Sequence, residues 1–247
     1  GIGAVVELES RLCGQLMRMV ILTDYIRESD FPSVHHEDKP FTKIGVVPIF
    51  DHLRRLRLPG VTLGILTGSL VVIPRMVLPH LRDTVESLGG KPDSYKTTPL
   101  WHDKDYIKVE AEGKERSRLV EIITRLFTRG FVNTLVGTTA LLGEGWDAPA
   151  VNTLVMATVV GSYVASNQMR GRAIRVNLGN PTKTANIWHL ACVGKGIMAS
   201  EETENDDLSL LARRFRTFPG LSVSEAAIES GLERLDIDPA QFDVDVA

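Results

Sequence analysis

Two rhythms of apolar positions alternate along the chain. In residues 114–129, Leu119, Val120, Ile123, Leu126 and Phe127 fall on one helical stripe, Glu115, Arg118, Glu121 and Arg125 lie elsewhere, and Gly130 is placed to end the helix. Residues 4–18 also read as helix and run into the apolar block Met19-Val20-Ile21-Leu22, a buried strand that stops at Thr23-Asp24. A polar surface loop is predicted over 28–43 and a helix near 49–56. Aliphatic, β-branched blocks at 61–66 and 70–73, bracketed by Gly60, Gly68 and Pro74, read as strands, and a helical segment follows to Leu88 before Gly89-Gly90. The run Val132-Asn133-Thr134-Leu135-Val136 recurs verbatim as Val151-Asn152-Thr153-Leu154-Val155. The flanks do not repeat, so the pattern predicts two similar strands and not a duplicated domain. A last strand is expected at 185–193.

Helices alternating with fully apolar strands predict an α/β fold, a doubly wound and mainly parallel sheet with helices on both faces. Ligands bind such sheets beyond the carboxyl ends of the strands. Here those ends are small or polar: Thr23-Asp24, Thr67-Gly68, Gly137-Thr138-Thr139 and Thr158. Past Gly196 the composition turns acidic at 201–207, then gives two helical patterns, 208–218 and 222–235, the second with a capping box of Ser222 and Glu225. The expected division is a domain over 1–196 and a small helical extension over 197–247.

Composition narrows the class. With 43% hydrophobic and 24% charged residues and a net charge of -3, the chain reads as a soluble globular protein and not as a generic nucleic-acid coat, although a local basic cleft remains compatible. The uncharged runs at 58–74 and 148–169 approach the roughly 20 residues that span a bilayer, but Pro149, Asn152, Gly161, Asn167 and Gln168 interrupt the second, so both read as buried strands and no membrane partner is expected. Cys13 and Cys192 show no metal or disulfide spacing, and no signal peptide is visible, so a cytoplasmic setting is expected.

Two segments can carry chemistry. In 135–147 a Gly-Thr-Thr turn at a strand end is followed by Gly145-Trp146-Asp147; amides and hydroxyls at a helix start suit phosphate oxygens, and the same spacing serves equally as a plain strand–turn–helix junction. In 166–175, read as helix, Gln168, Arg172 and Arg175 fall at i, i+4 and i+7. Two guanidiniums and an amide converging on one spot make a polyanion clamp. A solvated cationic face is the plainer alternative.

Taken together these segments resemble the second RecA-like domain, of the P-loop NTPase type, of superfamily 2 DEAD/DEAH helicases and translocases. Residues 20–25 (VILTDY) are similar to motif IV, LLGEGWDAP at 141–149 to motif V, and QMRGRAIR at 168–175 to motif VI, in that order; the likeness covers roughly 4–193. The resemblance implies that Arg175 is an arginine finger for ATP, with Arg172 also on the phosphates and Gln168 bridging nucleotide and water. It implies that Gly145, Asp147 and Gly171 lie against the nucleotide, with Asp147 touching the ribose or orienting the finger. It further implies that Thr139, and less directly Thr138 and Gly68, hold a nucleic-acid backbone, DNA more readily than RNA, with little base specificity. No Gly-x-x-x-x-Gly-Lys-Ser/Thr loop occurs and no DExx-type acid follows a strand. The resemblance therefore implies that ATP and Mg²⁺ are held mainly by an N-terminal RecA-like ATPase domain of the same, larger bacterial polypeptide, and that this chain alone does not hydrolyse ATP. A non-catalytic module binding nucleic acid or a protein is the alternative.

Other clusters read as ordinary. His35-His36-Glu37-Asp38 are adjacent, point apart and lack a second pair, so no metal site is expected. Arg213, Arg214 and Arg216 interleave with Phe215 and Phe218, which could stack on single strands; the stripe of Leu208, Leu211, Phe215 and Phe218 favours core aromatics and solvated arginines instead. Trp146 suits stacking on a base or packing in a turn, while Trp101 and Trp188 read as structural.

Overall fold

The computed structural model describes residues 1–26, 45–140, 146–158, 162–191, 206–216 and 218–231. Eight strands form one sheet in the order β4-β5-β3-β2-β6-β1-β7-β8. They are β1 (Met19–Thr23), β2 (Leu63–Leu66), β3 (Val71–Pro74), β4 (Lys96–Pro99), β5 (Tyr106–Glu110), β6 (Thr134–Thr138), β7 (Thr153–Met156) and β8 (Asn186–His189). The helices are α1 (Ile2–Cys13), α2 (Val46–Leu56), α3 (Leu78–Ser87), α4 (Lys114–Arg129), α5 (Tyr163–Ala173) and α6 (Asp206–Phe215). The expected α/β architecture is the one the chain adopts.

The sheet is mixed. Strands β2, β6, β1 and β7 pair in parallel, with β6 inserted between β1 and β2. Every residue of these four is buried, so both faces of the central sheet are covered. α1 packs on α2, and α3 on α4. The flank made of β3, β5 and β4 is antiparallel; β3 is the strand expected at 70–73, while β4 and β5 use residues to which the apolar pattern gave no element. In β5 the alternation is clear in the burial: Ile107 and Val109 point inward, with Tyr106, Lys108 and Glu110 half-buried. α4 runs over Lys114–Arg129 as predicted, and Gly130 ends it at φ 85°, where a side chain would be strained. No helix among the described residues is long and apolar enough to cross a membrane.

The repeated Val-Asn-Thr-Leu-Val is explained at the amino ends of the strands. Asn133 accepts the Thr62 amide at 2.8 Å and donates to the Gly60 carbonyl at 2.6 Å. Asn152 accepts the Arg18 amide at 2.7 Å and donates to the Leu16 carbonyl at 2.8 Å. In each case the asparagine sits just before its strand and pins the two residues that lead into the parallel neighbour, β2 for Asn133 and β1 for Asn152. The register matches as well, Leu63 facing Thr134 and Met19 facing Thr153. The repeat is one strand-docking device used twice. Asn133→Ala removes both of these partly buried bonds, and is expected to cost about 1–2 kcal/mol in urea unfolding. Asn152, less buried than Asn133, is expected to cost less on the same substitution.

Two compact units result: Gly1–Thr158 with Arg170–Trp188, and Val159–Met169 with His189–Ala247. In the second, Phe215 and Phe218 contact each other edge to face at 5.8 Å, and Tyr163 lies 5.2 Å from Phe218. The aromatics are packed, as the stripe predicts. Arg213 and Arg216 are exposed, but Arg214 is buried and is not the solvated residue expected. The predicted helix at 222–235 is corrected over its described part. β9 (Pro219–Leu221) and β10 (Ile228–Ser230) form an antiparallel hairpin. The Ser222 hydroxyl does accept the Glu225 amide, at 3.3 Å, but within a turn that also bonds the Ser222 amide to the Ala227 carbonyl at 2.9 Å. The same local bond serves turns and helix starts alike.

Candidate functional site

The carboxyl edge of the parallel strands carries a row of threonines. Thr23 and Thr138 face each other in register at the ends of β1 and β6, and both are buried. Thr158, just beyond β7, donates its hydroxyl to Asp24. The chain turns helical at Thr139, which is half-buried and followed by exposed Ala140. At the end of β2 the Thr67 hydroxyl is consumed by its own hairpin, accepting the Leu70 amide at 2.8 Å and donating to the Leu70 carbonyl at 3.0 Å. Gly68, at the exposed tip of that hairpin, gives its carbonyl to Arg116 of α4, at 3.2 Å from Nε and 2.7 Å from Nη2. Of the three residues assigned to a nucleic-acid track, Thr139 and Gly68 are therefore accessible, and Thr138 lies beneath them.

The arginines lie elsewhere. The last residue of α5, Ala173, meets the segment that enters β7. The Lys183 ammonium bonds the Ala173 and Val151 carbonyls at 2.8 Å each, so those two oxygens are at most twice that distance apart. There Arg172 donates through Nη1 to the Trp146 carbonyl, and Arg175 pairs with Asp147. The arginine pair and the threonine row thus sit at opposite ends of β7, a four-residue strand, about 13 Å at the usual rise per residue. The arginines are therefore away from the carboxyl ends, where the ligand of such a sheet is expected, which is a first correction.

A second correction concerns the stripe. α5 stops at Ala173; Ile174 still bonds the Arg170 carbonyl at 3.1 Å, and Arg175 is outside the helix. Its direction is set by Asp147, not by helical spacing. Gln168 and Gly171 are exposed on α5, four and one residues before Arg172. A Cβ added at Gly171 would meet nothing within 4 Å among the described residues. Gly145 lies outside the described residues, as do His35, His36, Glu37 and Asp38. Among the described residues no group of three or more His, Cys, Asp or Glu could hold a metal ion.

Trp146 is a packed turn residue. It is 5% exposed, donates Nε1–H to the Thr124 hydroxyl of α4 at 2.6 Å and lies 6.2 Å from the Phe127 ring. Its carbonyl is thereby held where Arg172 can reach it. Lys183 completes the arrangement with a third bond, to the Pro149 carbonyl at 2.8 Å. Burial pushes its ammonium below the ordinary lysine value. Neither the Thr124 contact nor Lys183 is signalled by the apolar pattern. Glu9 is a third residue missed. Fully buried on α1, it accepts Trp188 Nε1 at 2.7 Å, Asn186 Nδ2 at 3.0 and 3.1 Å and the Thr153 hydroxyl at 3.1 Å. It also raises the Cys13 thiol, after burial, the larger cause. The signal for it was a carboxylate on the buried stripe of Val5 and Val6.

No protein-family model and no curated protein matches the chain. Among solved structures it is similar to the helicase domain of Hef from Pyrococcus furiosus, at 18% identity and a TM-score of 0.39 over 78% of this chain and 25% of that one. It is also similar to the C-terminal part of the Fun30 ATPase domain, at 12% identity and a TM-score of 0.41 over 77% of this chain. The chain thus spans 25% and 40% of the lengths of the two solved chains it resembles.

Proposed function

We propose that the chain is the arginine-bearing half of an ATP-dependent superfamily 2 helicase or nucleic-acid translocase. In this reading ATP and Mg²⁺ are held mainly by a first RecA-like domain of the same cytoplasmic polypeptide, Arg175 and Arg172 stabilise charge on the transferred phosphoryl group, and Gln168 orients water. Asp147, with Gly145 and Gly171, borders the nucleotide. Nucleic acid, DNA in preference to RNA, crosses the carboxyl edge at Thr139, beside Thr138 and Gly68.

The observation that carries the reading is the meeting of Trp146-Asp147 with Arg172 and Arg175, the Arg172–Trp146 bond partly buried and the Arg175–Asp147 pair exposed. The residues fit a phosphate. Arg175 spends Nη1 on Asp147, which leaves Nε and Nη2 for an outside oxygen, and both side chains are about half exposed, at 47% and 58%. Gly171 adds a second support. Glycine inside a helix costs about 1 kcal/mol relative to alanine, and no neighbour among the described residues requires it. Close approach by a partner or ligand supplies the missing reason. Gly171→Ala is accordingly expected to raise the stability of the chain by about 0.5–1 kcal/mol while lowering ATP turnover in the native polypeptide. A substitution that stabilises and leaves turnover unchanged would remove this support.

The non-catalytic module has one observation on its side: both guanidiniums already hold partners within the chain. A purely structural role predicts that removing Arg175 changes stability and nothing else, and the two readings part at that substitution.

A further inference from the structure

We infer that Lys183 is a positioning residue for the arginine pair, clamping the segment that receives Arg172 and Arg175 to the end of α5, which carries Arg172 and leads directly to Arg175. The inference rests on the proposed role of the arginines for its catalytic meaning, but not for its geometry.

A lysine ammonium has three N–H donors, and Lys183 uses all of them, on the carbonyls of Pro149, Val151 and Ala173 at 2.8 Å each. One of the three is the last residue of α5, where carbonyls lack partners within the helix and a cation is favoured by the helix dipole. The other two belong to the short turn after Asp147, closed by the Val151 amide on the Ala148 carbonyl at 3.1 Å. In sequence the clamp lies next to both arginine contacts. Ala173 follows Arg172 directly and precedes Arg175 by two residues, while Pro149 follows Asp147 by two. Lys183 therefore fixes the distance between the helix end and the turn, and with it the directions of the Arg172–Trp146 and Arg175–Asp147 bonds. The turn is braced independently by Trp146 on Thr124, so loss of Lys183 frees the helix end relative to a turn that stays in place. A shorter or neutral side chain cannot satisfy three carbonyls at once.

The test uses the present chain, labelled with ¹⁵N, and follows rotation of the Arg172 and Arg175 guanidinium groups by NMR, with signals assigned through Arg172→Lys and Arg175→Lys. In the wild type both groups are expected to rotate slowly, each held through Nη1. In Lys183→Met, confirmed folded by circular dichroism, rotation of both should speed up at least tenfold. If that variant does not fold, Lys183→Gln, which keeps two donors, should show a smaller acceleration in the same direction. Rotation within twofold of wild type in a folded variant would overturn the inference. In the native polypeptide, Lys183→Met should lower kcat for ATP at least tenfold with KM unchanged. Freed arginines without loss of turnover would overturn the positioning role. Freed arginines in a polypeptide that never hydrolyses ATP would leave the clamp standing and remove the phosphate reading beneath it.

Discussion

Arg175→Ala is expected to lower ATP turnover by the native polypeptide about 10³-fold or more, the range in which an arginine finger acts on a transferring phosphoryl group, while the Kd for ATP stays within a few-fold. The asymmetry follows from what the guanidinium does in the reading: it meets charge that develops during transfer, so its loss falls on the transition state and not on the bound ground state. The fold supplies the control. The Arg175–Asp147 pair is about half exposed on both sides, and exposed pairs contribute little to stability. Thermal unfolding of this chain should therefore be nearly unchanged by the same substitution. Turnover and binding measured side by side decide the matter, and equal losses in both would remove the finger assignment.

The largest effect on stability is expected at Glu9. Its carboxylate, fully buried, receives donors from Asn186, Trp188 and Thr153, and so ties α1 to β7 and β8. Glu9→Ala strips the buried Thr153 hydroxyl and the half-buried Trp188 indole of their acceptor and opens a cavity, with an expected cost of about 3 kcal/mol. Glu9→Gln should cost less. Its carbonyl oxygen can still accept from Trp188 and Asn186, and its amide can donate to the Thr153 hydroxyl, which accepts as well as donates. Urea unfolding of the two variants gives the order. A Gln variant as damaged as the Ala variant would show that the negative charge, and not the hydrogen-bond pattern, is what the site requires.

What was legible in the sequence follows from which interactions are local. α4 and its terminating Gly130 could be read directly, because helical periodicity and a left-handed cap are properties of neighbouring residues. The buried parallel strands are equally clear, since a strand covered on both faces is a run of apolar residues with polar ones, all threonine, only at its ends. The edge was harder. β4 is Lys-Thr-Thr-Pro, mostly exposed and without an apolar residue, and only its pairing with β5 makes it a strand. Ile228–Ser230, the second strand of the small hairpin, falls within the helical pattern of 222–235 because the Ser222–Glu225 bond serves both structures.

The site divides the same way. The segments holding Asp147 and the arginines are each recognisable, but their meeting depends on contacts between residues some 26–28 positions apart, which is a tertiary fact. Lys183 and Thr124 act through long-range contacts with backbone carbonyls and an indole, and neither leaves a trace in local spacing. The verbatim Asn repeat was visible as a repeat, yet its cause, two asparagines docking onto neighbouring strands, required the pairing register.

The central claim is tested most directly by ATP hydrolysis in the native polypeptide, with and without single- and double-stranded DNA. The account predicts hydrolysis that nucleic acid stimulates and that Arg175→Ala nearly abolishes. Hydrolysis absent under every condition, in a polypeptide that binds nucleic acid, would contradict it and leave a binding module in its place.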